Sequence, residues 1–422
     1  MSYEFTTLGA IIGLTIAIIM IIKKIHPAYS LITGALIGGI IGGGGLTTTV
    51  NTMITGAQGM MSSVLRILTS GILAGMLIKT GSAEKIADVI VQKLGQKRAI
   101  AAISIATMII CAVGVFVDIS VITVAPIALA IGKKAGFNKA SVLLAMIGGG
   151  KAGNIISPNP NTIAASEAFG VDLTALMLEN VIPALFAVVT AIILATILAK
   201  KTGKTMISDA DLEKRENSHL PSFIAAIAGP VVVVCLLALR PLFGISVDPL
   251  IALPLGGIVC SLATRNIKNT ISYAEFGLSK VIGVSILLIG TGTLAGIIKA
   301  SALQYDIINI LEMLSMPAFV LAPLSGILMA GATASTTAGA TVASQTFSSV
   351  LLEKGVPAVS AAAMIHAGAT VIDSLPHGSF FHATGGSVNM TIKERLALIP
   401  YEACVGLAST IVSVIIYLIS LR

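Results

Sequence analysis

Gly148-Gly149-Gly150-Lys151-Ala152-Gly153-Asn154-Ile155-Ile156-Ser157-Pro158-Asn159-Pro160-Asn161-Thr162 interrupts a stretch that otherwise reads as one membrane span over 139–170. Glycines and two prolines at this point must break the helix. The break frees backbone N–H and C=O groups, which hydrocarbon cannot satisfy, so only surrounding protein or a wet cavity can. Half-helix ends at mid-membrane suit ion and anion sites, because N-termini attract anions and unwound carbonyls suit cations.

The break recurs later in the chain. Lys134-Ala135-Gly136-Phe137, Ser141-Val142-Leu143-Leu144-Ala145-Met146-Ile147 and Ser157-Pro158 read against Glu353-Lys354-Gly355-Val356, Ser360-Ala361-Ala362-Ala363-Met364-Ile365 and Leu375-Pro376, at an offset of about 218 residues. Leu73-Ala74-Gly75-Met76-Leu77-Ile78-Lys79 matches Leu294-Ala295-Gly296-Ile297-Ile298-Lys299, and His26-Pro27 sits where Asp248-Pro249 would. Two membrane repeats follow: 1–199, with a hairpin at 99–133 and a broken helix at 139–170, and 222–422, with a hairpin at 317–350 and a broken helix at 358–388. Residues 200–221 form a cytoplasmic linker, read as solvated.

The remaining spans are expected near 8–24, 28–45, 63–80, 174–199, 222–240, 246–264, 281–299 and 396–420. With the two broken helices that makes about ten transmembrane helices. Each arm of the 99–133 hairpin has about fifteen residues, or roughly 22 Å at 1.5 Å per residue, short of the ~30 Å hydrocarbon core. Both hairpins are therefore expected to be re-entrant. Five spans and one hairpin per repeat is an odd count, which inverts the second repeat. The fold class is an all-α polytopic membrane protein of inverted repeats.

Composition agrees with that class. The chain has 422 residues, 55% hydrophobic and 11% charged, with a mean hydropathy of +0.99. Its net charge of +7 does not point to nucleic acid, because the basic residues cluster at the ends of apolar segments. Placing Lys23-Lys24 in the cytoplasm puts 20 of the 26 basic residues inside and both termini outside, in an inner or plasma membrane. The opening Met1-Ser2-Tyr3-Glu4 has no basic n-region, so no removable signal peptide is expected. Cys111, Cys235, Cys260 and Cys404 are far apart in apolar runs and form neither a disulfide framework nor a metal spacing. Ala83 to Leu94 is amphipathic and is expected at the cytoplasmic interface. The glycines of 38–45 suit close helix packing and a loop; they lack the Lys-Ser/Thr of a phosphate loop.

Candidate site residues follow from the breaks and the hairpin tips. Asn154, Ser157, Asn159, Asn161 and Thr162 offer neutral hydrogen-bonding groups for a hydroxylated or carboxylated solute. Lys151 is an intramembrane cation and needs a partner: a substrate carboxylate, Asp118 or Asp373. Asp118 at the first tip and Asp373 at the second break are the proton- or ion-coupling candidates. Thr333, Ser335, Thr336 and Thr337 form an uncharged cradle at the second tip. His377 and Ser379 follow the second break. The spacing of His366, His377 and His382 is no zinc signature, so no metal is expected. No nucleophile–base pair marks an enzyme either.

Phe116-Val117-Asp118 through Pro158-Asn159-Pro160, Ala164 to Leu173, Gly331 to Ala343, and His377-Gly378-Ser379-Phe380-Phe381 through Thr391-Ile392-Lys393-Glu394 resemble the gluconate permease family of the ion transporter superfamily. The resemblance covers most of the chain. It implies proton-coupled symport of a sugar acid or related hydroxycarboxylate (gluconate- or glycerate-like), two hairpins at the site, a homodimer, and no cofactor beyond the coupling H+. One departure matters: where gluconate permeases carry Thr-His and Pro-His-Pro-Gly-Pro, this chain has Gly153-Asn154 and Pro158-Asn159-Pro160-Asn161-Thr162. The Asn-Thr ending resembles sodium-binding hairpin motifs of dicarboxylate carriers, which leaves Na+ coupling open. A cation/proton antiporter using Asp118 and Asp373 without an organic substrate is the remaining alternative.

Overall fold

The computed structural model describes residues 4–95, 98–200, 205–212, 220–245, 247–313, 316–376 and 378–421. Its regular elements are helical, with two isolated β-bridges, Phe5 with Ser301 and Asn138 with Met206. The first half of the chain runs α1 (Thr7–Ile22), α2 (Pro27–Ile41), α3 (Gly45–Gln58), α4 (Met61–Lys79), α5 (Ser82–Leu94), α6 (Ala99–Ala112), α7 (Val117–Lys134), α8 (Lys139–Asn154), α9 (Pro160–Phe169), α10 (Leu173–Glu179) and α11 (Val181–Ala199). The second half runs α12 (Phe223–Phe243), α13 (Pro249–Ala263), α14 (Thr270–Lys299), α15 (Leu303–Met313), α16 (Leu321–Thr333), α17 (Thr336–Glu353), α18 (Ala358–Gly368), α19 (Ser379–Gly386), α20 (Ile392–Leu396) and α21 (Ile399–Ser420).

Local signals set many of these boundaries. α9 starts with Pro160 at its first position behind the Asn159 cap and stops at Gly170 in the left-handed region. α2 and α13 start alike, with His26-Pro27 and Asp248-Pro249, each capping side chain accepting from a backbone N–H two residues on. α3 went unread in the sequence, because its threonines and asparagine depress both helix propensity and hydropathy. The turn before it uses Gly43 and Gly45 at φ +94° and +64°.

Among the described residues, four helical segments are long and apolar enough to cross a bilayer: Met61–Lys79, Val181–Ala199, Ile267–Lys299 and Ile392–Ser420. Shorter apolar helices of 10 to 17 residues, α1 and α2 among them, accompany these. The 99–133 and 317–350 segments each fold into two antiparallel helices, α6–α7 and α16–α17, joined by short turns. The expected broken helices fold as α8–α9 and α18–α19, with unwound junctions at 155–159 and 369–376.

The two halves of the chain meet along glycine. α4 and α14 touch backbone to backbone, and a Cβ on Gly277 would fall 1.8 Å from the Gly71 carbonyl oxygen and 3.1 Å from the Gly75 nitrogen. Small residues permit such an approach between membrane helices. Gly277→Val should therefore wedge α4 from α14 and lower the apparent melting temperature of detergent-solubilised protein, at a cost of ~1–3 kcal/mol or more. Gly283→Ala on the same helix, whose Cβ would meet nothing within 4 Å, should leave that temperature unchanged or raise it slightly. Equal melting curves for the two variants would remove the seam's importance.

The linker differs from its sequence reading. Residues 205–212 are docked rather than solvated: the Lys139 ammonium donates to Asp211 Oδ1 at 2.6 Å and to the Asn389 carbonyl at 3.2 Å, while Lys133 pairs with Asp209 and Thr205 bonds Glu394. Burial alone would push the Asp211 carboxyl up, but hydrogen bonds from Lys139 and Ser208 bring it down to about 2. Alternating charge signalled a polar segment, and nothing in that pattern told docking from solvation. Residues 201–204 and 213–219 lie outside the described residues.

Candidate functional site

Several helix beginnings line one cavity of about 770 Å³, His26 and Pro27 at the start of α2 among them. Phe116 to Ile119 open α7, Asn159 and Asn161 open α9, Ser335 to Ala338 open α17, and Gly378 to Phe380 open α19. Each first turn carries backbone N–H groups without intrahelical partners, and each helix dipole presents its positive end. The hairpin tips and the broken helices pack across one another, α17 on α9 and α19 on α7. Such a convergence attracts a small anion.

A side-chain network holds the first break rigid. Asn159 donates from Nδ2 to the Asn154 carbonyl (2.9 Å) and Oδ1 (2.7 Å), and Asn161 donates to the same Asn154 Oδ1 at 3.0 Å. Asn159 Oδ1 in turn accepts from the Asn161 and Thr162 backbone and from the Thr162 hydroxyl. Thr337 donates across the chain halves to Asn161 Oδ1. Asn154, Asn159 and Asn161 line the cavity, whereas Ser157 and Thr162 are buried and do not.

The second break is held by charge. Lys151 donates at 2.6 Å to Asp373 Oδ1 and at 2.6 Å to the Thr370 carbonyl, which lies just past the C-terminus of α18, where a cation is favoured. Asp373 also accepts from Ser374 (3.0 Å) and from Thr336 at the second tip (2.5 Å). Lys151 and Asp373 are 2% and 3% exposed, so the pair bolts α8, α17 and the unwound 369–376 segment into one unit. Of the partners open to Lys151 in the sequence, the structure places Asp373 against it; Lys151 does not line the cavity, though Asp373 does.

Asp118 is half-buried on the cavity wall at the start of α7. Thr333, Ser335, Thr336, Thr337 and Ser379 line the cavity too. His377 lies outside the described residues. Four residues that the sequence reading left out of the site are on the wall: Lys24, His26, Lys280 and His382. The lysines had been read only as topology markers. A helical face on α14, with Lys280, Gly283, Val284 and Leu287 at spacings of three, four and seven, was the signal available.

Behind α9 sits an ion cluster. Arg66 donates to Asp248 through Nε (3.0 Å) and Nη2 (2.7 Å), and to Glu167 through Nη1 (2.5 Å). Glu167 is six residues along α9 from Asn161, or about 9 Å by helix rise. A second, smaller cavity of about 280 Å³ opens there, lined by Arg66, Ser166, Glu167, Asp172 and Asp248.

Comparison with known proteins adds the following. A family model described as GntP family permease matches residues 5–422. An uncharacterized transporter of Haemophilus influenzae is 56% identical over 412 residues, 98% of each chain. The high-affinity gluconate transporter of Escherichia coli K12 is 21% identical over 98% of each chain, and the D-serine transporter DsdX of the same strain is 21% identical over 78% of this chain and 79% of that one. The crystal structure of the Alcanivorax borkumensis YdaH transporter superposes with a TM-score of 0.63 at 16% identity, covering 87% of both chains. That likeness is one of fold.

Proposed function

This chain belongs to the GntP family of permeases, and on that premise we propose that it carries a small hydroxy- or amino-substituted carboxylate across the cell membrane by proton-coupled symport. The observation that carries the reading is the cavity of about 770 Å³ framed by helix beginnings. Its volume suits a small organic ligand, and its wall of asparagine amides and threonine hydroxyls suits a polar one. Gluconate and D-serine, the solutes in two relatives' names, share a carboxylate beside a carbon bearing a hydrogen-bonding substituent. That shared fragment is what this wall can grip.

The halves of the chain act as inverted repeats. Support comes from the like order of hairpin, broken helix and long helix in each half. The two hairpins dip into the membrane without crossing it, and their tips hold the substrate while the surrounding helices rock around it. Asp118 is the coupling carboxyl. Unlike Asp373, it has no ion pair among the described residues. A homodimer in the inner membrane, with both termini outside, completes the proposal.

Proteoliposomes containing the purified chain should accumulate labelled D-gluconate or D-serine when a pH gradient, acid outside, is imposed, and a protonophore should collapse the uptake. Accumulation driven by a sodium gradient alone would replace the coupling ion and keep the carrier. Sodium–proton exchange with no carboxylate movement under any gradient would overturn the reading.

A further inference from the structure

We infer that Lys280 on α14 receives the carboxylate of the substrate, with Lys24 beside it at the cavity edge, and that the site is built for a monoanion. The inference rests on the carboxylate-transport reading above. Among the described residues, six titratable groups line the cavity: Lys24, His26, Asp118, Lys280, Asp373 and His382. Three are already engaged. Both Asp373 oxygens accept hydrogen bonds and Lys151 balances its charge. His26 Nδ1 caps α2 by accepting from the Ala28 N–H, and His382 Nε2 sits 2.8 Å from the Pro376 carbonyl. Lys24, Lys280 and Asp118 form no salt bridge among the described residues, although Lys280 is near enough to Asp118 for their charges to attract. With Asp118 ionised, the three carry one net positive charge, and one carboxylate neutralises it.

The α14 face points to where that carboxylate sits. Lys280, Gly283, Val284 and Leu287 share one side of the helix and all line the cavity. A glycine inside a helix costs ~1 kcal/mol relative to alanine. Most glycines of this chain recoup that by close packing, but a Cβ on Gly283 would meet nothing within 4 Å. Its smallness therefore leaves open space one turn beyond the Lys280 ammonium, facing the first turns of α7, α9 and α17. The Phe276 ring, 5.0 Å from Lys280 Nζ, supports the ammonium from behind. The substrate's polar substituent would then meet Asn161 and Thr337 on the far wall.

The test measures half-saturating concentrations for whichever of D-gluconate and D-serine the wild type transports, with the corresponding neutral amide as competitor. Lys280→Ala should raise the half-saturating concentration by about tenfold or more and bring the preference for acid over amide close to one. Lys280→Arg should stay within about threefold of the wild type, which separates a charge role from a packing role. Lys280→Gln, of similar length, should behave like Lys280→Ala. If Lys280→Ala and Lys280→Gln keep both affinity and preference, the assignment to Lys280 falls while the carrier reading stands. If the wild type moves neither acid, the carrier reading itself falls, and this inference with it.

Discussion

Replacing Lys151 by alanine should destabilise the protein by ~3–5 kcal/mol, the range for removing one partner of a buried ion pair. The cause is local. The Asp373 carboxyl would lose its cation in a site 3% exposed, with only the Ser374 and Thr336 hydroxyls left to hold it. The Thr370 carbonyl at the end of α18 would also lose its donor. Asp373→Asn should cost a similar amount, because the Lys151 ammonium would be left among neutral groups. The double variant Lys151→Ala with Asp373→Asn should lose clearly less than the two single losses added together, since no uncompensated charge remains buried. Melting curves of the four proteins in one detergent provide the cycle. A Lys151→Ala protein that melts like the wild type would show the pair to be dispensable, and would release the lysine for a direct role with substrate.

Asp118→Asn should abolish accumulation against a gradient while leaving exchange of internal for external substrate largely intact. Asparagine matches the shape and much of the hydrogen bonding of a carboxyl but cannot take up or release a proton. Its effect therefore falls on energetic coupling and spares the path itself. The contrast with Asp373 sharpens the expectation: Asp373 is clamped by a lysine and two hydroxyls, whereas Asp118 stands at the cavity wall beside an uncapped helix start. The measurement is paired: net uptake driven by a pH gradient, and counterflow with no gradient. Accumulation that survives in Asp118→Asn would take the coupling role from this residue. Loss of counterflow as well as accumulation would make it part of the binding surface instead.

Much of this architecture was legible in the sequence, and the parts that were not share a cause. The breaks at 155–159 and 369–376 announce themselves because glycine and proline act through the backbone, whatever surrounds them. The turns inside 99–133 and 317–350 could be read because each apolar arm runs only about fifteen residues before a glycine-bearing or hydroxyl-rich stretch interrupts it. α3 was hidden because its threonines suppress the hydropathy signal, while its helical state is fixed by packing on α14. Partner choice was hidden too. Lys151 could equally have met Asp118, Asp373 or a ligand, since periodicity along a chain says nothing about which break faces which tip. Arg66, near the start of the expected span 63–80, gave no sign in the sequence that it joins Glu167 and Asp248 from distant parts of the chain. Lys280 was overlooked for a different reason: a lysine near a helix end is the expected topology signal, so a second role left no trace in composition.

The ring of helix starts around the cavity has a consequence for how this protein's selectivity can be mapped. Part of its attraction for negative charge resides in main-chain amides, which survive every codon change short of proline. A systematic alanine survey of the wall will therefore return many mild phenotypes and leave a residual affinity that belongs to no single residue. Selectivity between acids will shift more readily when a substitution bends or slides one of these short helices than when it trims a side chain.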